Sequence, residues 1–377
     1  MLLISLPSVF AQGVKDVLDF FTEPYAFFDD HYLYQPMPRF TLWITSDITQ
    51  TGVRTTSHQE YDFIYADVYG TFDTDMQLKE RVYKELGLYI GYGGISLGWG
   101  VDVDPDKDSK NSTLSFSWLD SFWGFTTHYS HIRNWAEAHV LTEEMAYGEP
   151  EKTDTRMTSI YPADLFEFQL DGYYALNRKR FSYSAVYGGD VVQRRSAGSW
   201  MLGFKYLYGR VAFNTQEEAL LLLTGGVSRY NSHQLSLGGG YAYNLVAWHR
   251  DETDEKMLGL RNLTFNLTLM PMLTVLNPLT ISYDDNEIQN KAFGQQGAVT
   301  RHSHPALNYT ASTGLVLTVN RYSFDVRAHF DNFRFSTGTR TDDLHLLGSP
   351  TPSAVMRSTL KGRFFNWGVT GELQIRF

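Results

Sequence analysis

The chain has 377 residues, with 32 basic and 42 acidic side chains. Its formal net charge of -10 argues against a nucleic-acid partner. Hydrophobic content is 43%, mean hydropathy is -0.29, and no run approaches the roughly 18 apolar residues that a membrane helix needs, so a bundle of membrane helices is excluded. The absence of Cys excludes disulfides, thiolate chemistry, thiolate metal sites and a lipid-anchored N-terminal Cys. A transmembrane barrel escapes the helix criterion, because only alternate residues of its strands meet lipid. The aromatic content of 15%, with 24 Tyr and 25 Phe, suits the aromatic girdles of such a barrel.

Residues 1–11 read as part of a secretory signal, with Leu2 to Phe10 as a short apolar core and Ala11 before a cut at Gln12. The segment has no basic lead, so the natural start is expected further upstream. Residues 12–38 are aromatic and acidic without a clean period, and read as a periplasmic lead-in with room for one helical turn. The barrel is expected over 39–377. Phe40, Leu42, Ile44 and Ile48 alternate against Thr41, Thr45, Asp47 and Thr49, which predicts a first strand. A long polar connection over 50–83 is expected next. Leu86, Leu88 and Ile90 then lead to Gly93-Gly94, a tight hairpin signal, and Ile95, Leu97, Trp99 and Val101 return from it.

Asp102, Asp104, Asp106 and Asp108 stand at every second position. Calcium loops use that spacing, but here the Gly after the third Asp and the closing Glu are missing, which favours a solvated acidic loop. Leu114, Phe116 and Trp118 predict a strand, Asp120-Ser121 a turn, and Trp123, Phe125 and Tyr129 the next strand. A long polar loop with a helical turn near 135–144 is expected over 134–161. Asp164 to Leu176 and Ser199 to Tyr208 alternate strongly, and the segment 177–198 between them does not. Thr215-x-x-Glu218 reads as a capping box on a short helix. Further strands are expected at 235–246, 263–269 and 307–319. After a turn at Asn320-Arg321, Tyr322, Phe324, Val326, Ala328 and Phe330 oppose Ser323, Asp325, Arg327, His329 and Asp331. Long connections are also expected at 277–304 and 338–356.

The last strand carries Trp367, Val369, Leu373, Ile375 and Phe377 on one parity, and Asn366, Thr370, Glu372, Gln374 and Arg376 on the other. Outer-membrane barrels end on such a strand, and Phe377 is the expected assembly signal. The segments sum to about twelve antiparallel strands in an up-and-down order, alternating short and long connections as periplasmic turns and extracellular loops do. Lipid requires the sheet to close.

Asp171-Gly172-Tyr173-Tyr174-Ala175-Leu176-Asn177, Gly240-Tyr241-Ala242-Tyr243-Asn244 and the Gly-rich hairpin Gly91 to Gly100 add a second line of reasoning. The same holds for Phe181-Ser182-Tyr183 followed by Ser196-Ala197-Gly198-Ser199. Together these stretches resemble a family of outer-membrane barrels from Bacteroidota known only as a domain of unknown function, DUF4421. The resemblance covers about residues 30–377. It departs at Ser184-Ala185, where the family has Pro-Ala. It implies a barrel in the outer membrane of a Gram-negative envelope and carries no activity, substrate or catalytic residue.

The parity places Glu167, Asp171, Lys205, Asp325, Arg327, His329, Asp331, Glu372 and Arg376 in the lumen as a polar cluster of both signs. Segment 177–198 joins a descending strand to an ascending one, and at about twenty residues it is long for a periplasmic turn. One reading is a plug whose Arg178, Lys179, Arg180, Arg194 and Arg195 pair with lumen carboxylates; the other is a basic periplasmic lip.

His128-x-Ser130 resembles the His-x-Ser of outer-membrane phospholipase A, with Asn134 as the nearest residue to orient the His. The Ser-Asn-Gly that follows in that enzyme is missing, and His128 and Ser130 share the lumen parity, whereas a lipid hydrolase needs them facing lipid. His302-x-His304 lacks a third metal ligand nearby in sequence. The expectation is a non-enzymatic outer-membrane pore, transport component or scaffold with a largely filled polar lumen, and no cofactor. Its expected partners are outer-membrane lipid, lipopolysaccharide and the barrel-assembly machinery. The alternatives are a lipid acyl hydrolase using His128 and Ser130, and a soluble exported β protein that binds an apolar ligand.

Overall fold

The structure, a computed structural model, describes residues 28–35, 40–63, 68–80, 82–103, 110–146, 153–155, 162–188, 191–213, 227–250, 260–283, 298–302, 305–344 and 354–377. In chain order the first elements are β1 (Leu33–Tyr34), β2 (Phe40–Phe63), β3 (Val68–Glu80), β4 (Tyr83–Tyr92), β5 (Ile95–Asp102) and β6 (Lys110–Leu119). Then come β7 (Trp123–Ala146), β8 (Thr153–Thr155), β9 (Pro162–Ala175), a single helical turn α1 (Ser184–Tyr187), β10 (Val192–Gln193) and β11 (Ala197–Phe213). The chain continues with β12 (Val227–Arg250), β13 (Arg261–Leu276), β14 (Pro278–Tyr283), β15 (Ala298–His302), β16 (Ala306–Val319), β17 (Tyr322–Leu344) and β18 (Ala354–Arg376).

Four strand pairs lie end to end as single staves: β3 with β4, β8 with β9, β13 with β14, and β15 with β16. The sheet is therefore a closed antiparallel barrel of 12 strands. Closure is made by β2 and β18, which pair from Thr41↔Arg376 to Phe63↔Ala354. A closed ring leaves no unpaired edge.

One end of the barrel, the turn end, carries the tight connections. At Gly93-Gly94 both residues have positive φ, 56° and 87°, as a two-residue hairpin of this hand requires, and glycine adopts that conformation without strain. Asn320, at φ 55°, makes the corresponding turn between β16 and β17. The start of β2 and the end of β18 lie at this end too, where Phe377 N–H donates to the Phe40 carbonyl and the two rings are 6.1 Å apart.

Strands extend toward the other end, the loop end, well past the alternating stretches. β2 and β3 fill most of the expected long connection 50–83 and pair from Val53↔Leu78 to Phe63↔Val68. The helical turn expected at 135–144 is strand, because β7 runs straight through to Ala146 and pairs with β3 above the short β5–β6 hairpin. β14, β15 and the outer parts of β17 and β18 likewise occupy parts of 277–304 and 338–356. The signal segment, the capping box at Thr215, and Asp104, Asp106 and Asp108 lie outside the described residues. So does His304, while Asp102 ends β5 and His302 ends β15.

The polarity of the barrel is the reverse of a soluble protein's. Phe324 is 51% exposed on the outer face while its neighbour Asp325 is 4% exposed inside; Leu267 is 56% exposed and Asn266 is fully enclosed. The interior is rich in Thr, Ser, Asn and Gln, including Thr45, Ser236, Asn244, Asn262, Thr264 and Gln374. The outer face carries Leu88, Trp99, Trp200, Leu202, Leu269 and Val326 among many exposed apolar side chains. An outer face so rich in apolar side chains is what lipid, rather than water, favours.

Candidate functional site

The connection from β9 to β11 folds back into the barrel. Its base is built from the family-like motif. Phe181 and Ser182 are fully enclosed, and Phe181 packs with Ala175, Met201, Ala242, Met270 and Met272. Ser182 N–H donates to Gln193 Oε1 at 3.1 Å, and Tyr183 N–H donates to the Ser121 carbonyl at 3.1 Å. Ser196 Oγ accepts from Val246 N–H at 2.9 Å, and Ser199 Oγ accepts from Asn177 N–H at 2.9 Å. Ala197 opens β11 opposite Asn244, and Gly198 leaves room there for the Tyr241 ring.

Gln193 is the hub of this base. Its Nε2 donates to the carbonyls of Arg180 (2.6 Å) and Arg195 (2.9 Å), and its Oε1 also accepts from Asn244 Nδ2 at 3.1 Å. Asn262 Nδ2 donates to the Gln193 carbonyl at 2.8 Å. A buried amide with its hydrogen bonds filled holds a loop in one conformation.

Beyond the base, α1 forms the inner tip. Tyr173, Tyr183 and Tyr187 pack in series, with centroids 4.4 and 4.3 Å apart. The Tyr187 hydroxyl lies 3.0 Å from Asn266 Oδ1 on β13 and 2.9 Å from Ser312 Oγ on β16. Asn266 Nδ2 donates to Asn244 Oδ1 at 2.6 Å, which ties tip and base to one wall. Segment 177–198 is therefore a plug, but its arginines do not reach the lumen carboxylates. Arg178, Lys179 and Arg180 are exposed at the mouth. Arg180 pairs with Asp29 at 3.4 Å and lies over the Tyr32 ring; Arg194 lies over Tyr34 and donates to the Asp30 carbonyl at 2.7 Å; Arg195 faces Tyr32. The plug's cations clasp the lead-in, whose β1 pairs with β10 of the plug, because keeping them at the wet mouth avoids the cost of burying charge. The polarity of the lock is reversed: the wall supplies the cation. Arg327 pairs with Glu372 and donates through Nη1 to the Tyr187 carbonyl at 3.1 Å.

The lumen cluster foreseen from parity does point inward. Lys205 on β11 reaches across three intervening strands to Asp331 on β17 at 2.8 Å, and also meets Asp171 on neighbouring β9 at 3.4 Å. Asp331 accepts from Thr310 Oγ1 at 2.6 Å, and Gln169 donates to Asp171. Asp325 stands opposite Glu372 in register. Arg376 is buried and reaches Gln374 Oε1 at 3.5 Å. One inward step toward the loop end, Leu207, Phe333 and Phe364 pack together with Val53 against them. The plug tip and the Lys205–Asp331 bridge border a chamber of about 440 Å³. Glu167, His128, His329, Asp47 and Glu85 also line it. Parity reasoning did not single out Glu85, which accepts from Asn111 Nδ2 at 3.2 Å and from Thr113 Oγ1. Gly100 on the adjacent β5 leaves the space that the Glu85 carboxylate fills.

His128 and Ser130 lie on β7 and both line the chamber. His128 Nδ1 meets Ser115 Oγ at 3.1 Å, and Ser130 Oγ donates to Asn111 Oδ1 at 3.5 Å. Each thus has its own partner on β6, and both open onto the lumen rather than the apolar outer face. The side chain of Asn134 lies outside the described residues. Among the described residues no group of three or more His, Asp or Glu is arranged to hold a metal ion.

A family model described as "Domain of unknown function (DUF4421)" matches residues 41–348, most of the chain. No curated protein sequence matches. Among solved structures, the outer membrane protease OmpT from Escherichia coli aligns at 11% identity and a TM-score of 0.22, covering 89% of this chain and 97% of that one. A Pseudomonas aeruginosa FadL homologue aligns at 9% identity and 0.19, covering 88% and 90%. Pseudomonas aeruginosa OccK2 aligns at 10% and 0.11, covering 88% and 97%. Likenesses this low carry no argument about activity.

Proposed function

The chain belongs to the family described as a domain of unknown function, DUF4421, and from that premise we propose a plugged, non-enzymatic transport component of the bacterial outer membrane. The turn end faces the periplasm and the loop end the exterior. The barrel contacts outer-membrane lipid and lipopolysaccharide outside and is inserted by the barrel-assembly machinery, with Phe377 on the strand that machinery reads.

The observation that carries this reading is a plug seated in a polar lumen inside an apolar outer face. Exposed Phe324 beside buried Asp325 is costly in water and favourable in lipid. The Tyr187 contacts to β13, β16 and Arg327 anchor the plug tip within the lumen. The separate partners of His128 and Ser130 favour a structural role for both over a nucleophile–base pair.

The test is fractionation of expressing cells followed by electrophoresis with and without boiling. Recovery in the outer membrane with heat-modifiable migration supports the reading, and a soluble periplasmic product overturns it. An acyl-ester assay in detergent separates the hydrolase alternative: turnover abolished by Ser130→Ala would establish that alternative and remove ours.

A further inference from the structure

The charges of the chamber do not balance. Its two permanent cations are taken up, Lys205 by Asp171 and Asp331, and Arg327 by Glu372. Asp47, Glu85 and Glu167 remain, with no ion-pair partner among the described residues, and Asp47 accepts from Thr45 Oγ1 at 3.0 Å. Glu85 on β4 and Glu167 on β9 stand with β5, β6 and β7 between them. Ser130, opposite Glu167 in register, donates to Asn111, and Asn111 donates to Glu85. That chain of donors therefore ends on Glu85.

Glu167 lies outside it. It is 3% exposed, lines the chamber, and its Oε1 has no hydrogen-bond partner among the described residues. Its register partner on β11 is Gly209, where a Cβ would meet nothing within 4 Å. Open space thus lies beside the strand position of a buried carboxylate. A buried carboxylate without a partner is costly, and a cationic donor is the group that relieves it. About 440 Å³ suits a small molecule rather than a bare ion.

We propose that this chamber is a binding site for a small organic cation of the amine or guanidinium class, with its charged head at the Glu167 carboxylate. The inference rests on the reading of the lumen as a chamber that admits solute. It names the solute class without depending on the direction of transport.

The test is calorimetric titration of the purified full chain in detergent with putrescine, using succinate and 1,4-butanediol as four-carbon anionic and neutral controls. Saturable putrescine binding, weakened at least tenfold by Glu167→Gln and absent for both controls, is the expected result. Absence of saturable putrescine binding, equal binding of 1,4-butanediol, or unchanged affinity in Glu167→Gln overturns it. If Glu167→Gln fails to fold, Gly209→Leu replaces it as the variant. Gly209→Leu should keep heat-modifiable migration and lose putrescine binding, and unchanged binding overturns the proposal. A barrel that conducts freely yet binds putrescine removes the plugged-lumen reading and leaves this inference standing. A closed barrel that ignores putrescine removes only this one.

Discussion

Lys205 and Arg327 do most to define the lumen, each in a different way. Lys205 is 4% exposed and ties β11 to β17 through Asp331, which is 5% exposed, so the bridge crosses the bore where solvent is scarce. Removing one partner of such a pair leaves an uncompensated buried charge. Lys205→Met should therefore destabilise the barrel by about 3–5 kcal/mol in urea unfolding followed by heat-modifiable migration. Adding Asp331→Leu should recover part of that loss, because the more deeply buried of the two orphaned carboxylates is then gone. A single variant as stable as the parent would show that the bridge is not holding the walls. Parity made the inward orientation of both residues legible in the sequence, but not their pairing. β12, β13 and β16 lie between their strands, and only ring closure brings them together. The opposite error arose for the plug's arginines: matching charge to charge ignored the desolvation that keeps Arg180 and Arg194 at the mouth.

At the scale of single elements, β17 shows best what alternation conveys. Phe324→Arg should put a charge in the apolar band and cost roughly 2–4 kcal/mol at mid-membrane, whereas Asp325→Asn, in the lumen, should be far milder for assembly. Folded yields in outer-membrane fractions check the pair, and the reverse order would mean that the register is off by one. The strands proved longer than the alternation, for a physical reason. Alternation marks only the stretch where one face meets an apolar medium, and beyond it both faces of β2, β3 and β7 can be polar while the ladder continues. The plug left no periodic signal because hydrogen bonds to side chains, not a ladder, hold it. Gln193 was accordingly missed. Gln193→Leu strips partners from Ser182 N–H and Asn244 Nδ2. At about 1–3 kcal/mol for each buried group left unsatisfied, amide exchange across 181–193 should quicken while the β11–β12 ladder stays protected. Equal protection in variant and parent would argue against Gln193 as the hub.

For the whole molecule, the closed ring and its inverted polarity followed from the sequence, because a two-residue period and a strand count suffice to state them. The location of the chamber did not, since it depends on side chains from strands far apart in the chain meeting above the plug. Barrels of 16–18 strands leave an open aqueous channel. Here 12 strands enclose a narrower bore, filled by the plug, the Lys205–Asp331 bridge and the layer of Leu207, Phe333 and Phe364. The central claim is that the plug closes this bore. Planar-bilayer recording of the purified chain, beside a variant in which residues 183–188 are replaced by Gly and Ser, tests it directly. The parent should show little or no steady conductance and the variant clear openings. Large, steady conductance from the parent, unchanged by removal of the plug tip, would contradict it.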